Sequence, residues 1–531
     1  MTSVTTCYGG FYFFFSKFLN LFEYTVLFLK SHLKIFTLSL FFDKRAGRFF
    51  PDFHKKVNSI KSFEMKVTEQ KARLEEKKSG KSEYLITQNP LKALLIFFLP
   101  VAVGNVFQQF YNLVDSAILG RFVSEQALAA AAACLSFINI FVFIGNGFGI
   151  GAGVLIGRYF GSRDFKNMKV VIFTALITSL VLGFVLGLFG FFSGRLVLQW
   201  LKTPEDTIDL ACIYLQIYFL GMPFVILYNV CSAMFNALGK SGYPLFFLIF
   251  SSLLNIGLDL LAVNYFKSGI SGVAYATVIA QGVACILSFA VFFKNLSRFK
   301  IGKTLLFSKS EFARMNGIAL PSIFQQTTIS IGLMLIQSTI NSFGSKALAG
   351  YSVGTRIESL GSAVVIACGA SLSTFVAQNL GAGKIKRIKQ GYISANIIVA
   401  ATAFLFFITV AMFKNQIITL FIGDNCSEKA FDVALQVLVY MSQVMVILGF
   451  KHTADGILRG LGRMKMFTLG NVVNIVLRVS FAKIFAPIIG IQAIWISNPI
   501  GWSASLIMCY LSYRHGMKKL KESSKESVSL Q

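Results

Sequence analysis

Residues 100–121 read PVAVGNVFQQFYNLVDSAILGR, an apolar stretch entered at a proline with one carboxylate, Asp115, deep in its length. A charge inside a membrane helix costs on the order of 3 kcal/mol to insert. It is retained where it faces a water-filled cavity, pairs with another group, or binds a proton or ion. Asp115 is therefore expected to be functional, the alternatives being a carboxylate near enough to the far membrane face to reach water or a purely structural pair. Residues 244–259, PLFFLIFSSLLNIGLD, share the plan: a proline, then an acid, Asp259, fifteen residues later. Fifteen residues advance about 22 Å along a helix, past the middle of a hydrocarbon core about 30 Å thick. If both helices run the same way, both carboxylates sit at one depth. Asn255 lies one turn before Asp259 on the same face. Asp115, Asn255 and Asp259 would make an oxygen-rich cluster suited to a proton or Na+.

The rest of the composition agrees with a membrane setting. The 531 residues are 55% hydrophobic and only 14% charged, against about 25% charged in a soluble protein. The expected class is an all-α polytopic membrane protein. A net charge of +27 raises nucleic acid as a partner, but the cations fall in short loops between apolar spans. They read as topology and as attraction to anionic lipid. The eight cysteines form no CxxC and the four histidines are scattered. No metal-ligand spacing, nucleophile elbow or phosphate loop is present, so no cofactor or resident metal is expected and nothing supports an enzyme.

Twelve apolar spans follow from Leu91. Loops after even-numbered spans carry most of the cations, such as Arg158, Arg163, Lys384, Arg387, Arg459 and Arg463. Under the positive-inside rule those loops and both termini are cytoplasmic. The expected organisation is an extension (1–90), an N lobe (91–293), a linker (294–311), a C lobe (312–513) and a tail (514–531). Residues 1–64 are rich in Phe and Leu but broken by Lys17, Glu23, Lys30, His32 and Lys34. They read as cytoplasmic or interfacial, with translation naturally starting at Met65.

The two lobes repeat. LPVAVGNVFQQ from Leu99 echoes LPSIFQQ from Leu320. GRYFGSRDFK from Gly157 echoes AQNLGAGKIK from Ala377. ALGKSGYP from Ala237 echoes GLGRMKMF from Gly460, and NIGLD (Asn255 to Asp259) echoes NIVLR (Asn474 to Arg478). Six spans per copy preserve orientation, so the repeat is parallel, about an axis along the membrane normal.

At these residues the chain resembles the bacterial and archaeal branch of the multidrug and toxic compound extrusion (MATE) family. QQFYNLVDSAILGRF is similar to the family's first helix, and the four repeated loop motifs to its paired loops. The resemblance covers about residues 90–515. It implies two six-helix lobes around a central cleft, alternating access, and export of cationic, amphipathic small molecules against inward H+ or Na+ across the plasma membrane. It also implies that Asp115, Asn255, Asp259 and Thr277 form the cation-coupling site. For the substrate cleft the candidates are Gln108, Tyr111, Asn112, Glu358 and Arg478, Arg478 standing where the repeat places Asp259. The seventh span has no acid, which weakens a cation site in the C lobe. A monomer is expected, since one chain holds both lobes. The rival readings are a lipid-linked sugar or lipid flippase of the same superfamily and, more distantly, a scaffold or sensor that transports nothing.

Overall fold

The computed structural model describes residues 83–529, except 202, 298, 300–303 and 423–426. The N-terminal reading, the start at Met65 and most of the basic linker lie outside the described residues. A short turn of helix, α1 (Tyr84–Thr87), precedes the first half of the molecule. That half comprises α2 (Pro90–Ile118), α3 (Glu125–Gly161), α4 (Phe165–Trp200), α5 (Glu205–Leu220), α6 (Met222–Ala237), α7 (Gly242–Leu260) and α8 (Gly269–Leu296). The second half comprises α9 (Lys309–Asn341), α10 (Ser345–Gly381), α11 (Ile385–Ile422), α12 (Glu428–Leu461), α13 (Met464–Ile489) and α14 (Gln492–Ser529).

The boundaries follow local chemistry. Side chains of Ser124, Asp164, Ser308 and Ser427 accept from backbone N–H groups three residues on, capping donors that a helix start leaves unpaired. Phe192 (77% exposed) and Leu420 (82%) are typical of the large apolar side chains turned outward. So wide an apolar surface is stable against lipid tails and a liability in water.

Among the described residues ten helices are long and apolar enough to span a membrane alone, or eleven spans if α5 and α6 count as one. Two of the twelve expected spans are not single uniformly apolar helices. The fourth span is bent by 51° between α5 and α6, where Gly221 ends one helix and Pro223, lacking an N–H, sits in the first turn of the next. The last segment is the long helix α14, outside that hydropathy measure. Its Ser497, Asn498, Ser505 and Ser512 are buried in the protein, so their polarity is hidden from lipid.

Among the described residues the largest core shared by the two halves lies toward one end. The largest core mixes Phe97, Ile156 and Phe235 from the first half with Met315, Phe375 and Ile457 from the second. It sits at the end that carries the basic loops. Toward the other end the described cores each belong to one half, Phe137 and Tyr214 in one and Ile336 and Trp495 in the other. Repeated glycines explain the closeness at the basic end. A methyl on Gly161 would strike the carbonyl oxygen of Gln378, and a methyl on Gly381 that of Arg158. The pairs are reciprocal, since 381 − 161 = 220 and 378 − 158 = 220. The repeat axis thus passes through this crossing, where only glycine lets α3 and α10 touch. Further along α3, Gly151 lies where a Cβ would come within 2.6 Å of Met315 O.

Candidate functional site

Three helices of the first half build one polar cluster away from the sealed end. From α7, Asn255 and Asp259 are 2% and 0% exposed. Their four-residue spacing puts both on the face toward α2 and α8, which supply Asp115 and Thr277. Asp115 and Asp259 approach within hydrogen-bonding reach of each other. Asn255 sits between the contributors. Tyr111 Oη lies 2.7 Å from its amide in either orientation of that group. With Nδ2 turned toward Tyr111, the amide also donates to Asp259 Oδ2 at 3.1 Å, and Oδ1 accepts from the Thr277 backbone N–H at 3.1 Å. That is the better-satisfied assignment. Asp115 Oδ1 is buried with no hydrogen-bond partner among the described residues.

The physical consequence is direct. Two carboxylates this close repel if both are ionised, and lipid and protein around them screen little of that repulsion. A proton shared between them, or a monovalent cation beside them, removes the conflict and satisfies the orphaned Asp115 oxygen. Each parent helix continues into a π-helical turn just past its acid, Leu119–Val123 after Asp115 and Leu261–Tyr265 after Asp259. Such turns cluster at functional sites.

The structure therefore gathers Asp115, Asn255, Asp259 and Thr277 into one place. Tyr111, expected in the substrate cleft, belongs to this cluster through its hydroxyl. Gln108 and Asn112 instead bond each other along the exposed face of α2, Nε2 to Oδ1 at 3.1 Å. Two residues escaped the sequence reading. Tyr214 and Tyr218 on α5 stack with ring centroids 6.3 Å apart and lie within electrostatic reach of Asp115. Their i, i+4 spacing in an apolar span was the available signal.

In the second half, Glu358 accepts from Ser362 Oγ and lies in the field of Arg478. Both are near Tyr351, separate from the carboxylate cluster, and Arg356 is exposed. A larger omission is Lys451 with Asp455, 2% and 0% exposed. Lys451 Nζ lies 2.6 Å from Asp455 Oδ2 and donates to Asn471 Oδ1 at 2.7 Å. Gln325 Nε2 donates to both of those oxygens at 2.8 and 3.1 Å. This network ties α9, α12 and α13 together. The i, i+4 charges in KHTAD were legible as a pair, but not their complete burial.

This architecture, two parallel six-span halves with a pair of acids gathered between helices of the first, is that of a multi-pass membrane transporter. A family model described as MatE matches residues 100–261 and 321–484, two stretches that start 221 residues apart, as the repeat requires. The chain belongs to the MATE family. It is 32% identical over 441 residues to "Probable multidrug resistance protein YpnP" of Bacillus subtilis (strain 168), covering 82% of this chain and 98% of that one. "Multidrug export protein MepA" of Staphylococcus aureus (strain MRSA252) is 22% identical over 81% of this chain and 95% of its own. Among solved structures, "Outward-facing conformation of a multidrug resistance MATE family transporter of the MOP superfamily" superposes with a TM-score of 0.77 at 22% identity. That match covers 83% of this chain and 99% of the other. The chain thus belongs to a transporter family and has that family's fold.

Proposed function

We propose that this protein is a secondary active exporter of cationic, amphipathic small molecules, driven by inward H+ or Na+ through alternating access. The observation that carries the reading is the Asp115–Asp259 approach with Asn255, Thr277 and Tyr111 around it. An inward-moving proton or Na+ relieves the repulsion within the pair, and its binding free energy then favours the conformation in which the pair is close. The positive-inside rule favours a cytoplasmic sealed end, with both termini there and the plasma membrane as the site of action. That orientation puts the carboxylates in the outer half, where an ion entering from outside would reach them. The relatives named as multidrug resistance and export proteins support the substrate class. A single chain provides both halves of the cleft, which supports a monomer.

The test is uptake of a fluorescent cation into everted vesicles, whose cytoplasmic face is outward, with pH and Na+ gradients imposed separately. Wild type is expected to export under one gradient, which names the ion, and Asp259→Asn to export under neither. Normal export by Asp259→Asn would overturn the assignment. A wild type that moves no cation under either gradient would overturn the exporter reading in favour of a flippase.

A further inference from the structure

The residues just ahead of α2 grip both halves of the molecule at the sealed end. Tyr84, Leu85 and Ile86 are buried, Leu85 completely. On the first half, Tyr84 Oη donates to Gly239 O at 3.1 Å and Glu83 pairs with Arg163 at 2.9 Å. On the second half the contacts run to the segment's own backbone. Leu85 O accepts from Asn379 Nδ2 at 3.0 Å and from Arg387 Nη2 at 3.2 Å, and Gln88 O accepts from Arg387 Nη2 at 2.7 Å. Ile86 O accepts from Lys384 Nζ at 3.1 Å. Within this four-residue helix only Tyr84 O gains a backbone partner, Gln88 N–H, and the carbonyls at its end are left over. Here the second half supplies their partners.

Arg387 is held ready for this. Its Nε donates to Asn379 Oδ1 at 3.0 Å and its guanidinium lies over the Phe375 ring, 5.8 Å from the centroid. The segment enters α2, the helix that carries Asp115, so its position and that of the carboxylate helix are linked through the chain. At the corresponding place in the second half a weaker counterpart crosses the other way. Tyr159 Oη of α3 donates to Glu311 Oε1 of α9 at 2.9 Å.

We infer that Glu83–Gln88 is a latch that straps the two halves together at the basic end, and that its release from Asn379, Lys384 and Arg387 is required for that end to open. The inference rests on the alternating access proposed above. Separation of the halves must break all the carbonyl contacts of the segment together and draw Leu85 out of its seat. The latch therefore sets how long the basic end stays shut through contacts that the carboxylate cluster does not make.

The experiment reads opening directly and needs neither substrate nor ion gradient. Thr374 lines a cavity of about 100 Å³ between the halves near the basic end, with Phe97, Val101, Ala233 and Arg459. Thr374→Cys, in a background with the native cysteines replaced, is labelled with a membrane-impermeant maleimide in everted vesicles. Arg387→Gln, which withdraws the charged donor, and Leu85→Asp, which places a charge in the latch's seat, are compared with the parent. Both are expected to raise the labelling rate about tenfold, the effect of shifting the closed–open balance by about 1.4 kcal/mol. Arg387→Lys is expected to fall between. Size-exclusion profiles confirm which variants are folded. Unchanged labelling in folded Arg387→Gln or folded Leu85→Asp would overturn the latch. Should export fail in every protein while labelling rises in the latch variants, the latch stands and the substrate reading falls. Normal export with unchanged labelling would do the reverse.

Discussion

Replacing Lys451 with methionine removes an ammonium while keeping most of the side chain's volume. Asp455 then remains 0% exposed, and its Oδ2 loses a partner at 2.6 Å. Asn471 Oδ1 loses one at 2.7 Å. Two hydrogen bonds from a charged donor are worth about 1.5–3 kcal/mol each, and stripping one partner from a buried ion pair costs about 3–5 kcal/mol. The two routes agree, so a loss of about 4 kcal/mol is expected. Lys451→Met/Asp455→Leu should behave differently. It removes both charges, and Gln325 and Asn471 still bond each other at 3.1 Å. Buried pairs exchanged for apolar groups are often neutral, so the double variant should recover most of the loss. The assay is the temperature at which purified protein loses its monodisperse peak, measured for wild type, both single variants and the double. A single-variant shift no larger than that of a surface lysine change, or a double variant as unstable as the two singles added, would refute the reasoning. The pair would then be partly hydrated or dispensable.

Gly161→Ala and Gly381→Ala each drive a methyl into a carbonyl of the facing helix. Overpacking of this kind costs about 1–3 kcal/mol, and here it falls on the closed basic end. Faster maleimide labelling of Thr374→Cys is the expected sign, while Gly383→Ala, whose Cβ position is open but whose φ of +69° is strained, should lower stability without that selectivity. Tyr111→Phe removes one hydrogen bond of 2.7 Å to Asn255, about 1 kcal/mol. A severalfold rise in the ion concentration giving half-maximal efflux should follow, with expression unchanged. Asp115→Asn and Asp259→Asn should each abolish ion-driven efflux, and the double variant should be no worse than either, because the two acids act as one site.

The sequence by itself determined the class and the parallel repeat, and it singled out the two acids that the fold brings together. Apolar runs of span length, loops of alternating charge and two proline-to-aspartate stretches are all local patterns, and the cost of an unpaired group in lipid makes each of them informative. The meeting of Asp115, Asn255, Asp259 and Thr277 followed from depth, since residues at one level of a packed bundle have few other places to go. What only the tertiary structure decided depends on rotation and crossing of helices. Hydropathy carries no signal for the side of a helix that a neighbour covers. Hence Tyr111 moved from cleft to cluster, Tyr214 and Tyr218 came into view, and α14 hid its serines in a contact no window average reports. The Lys451–Asp455 network and the latch at Leu85 are likewise products of packing. In each, a polar group is tolerated because a partner far along the chain satisfies it: Gln325 lies 130 residues before Asp455, and Asn379 lies 294 residues after Leu85.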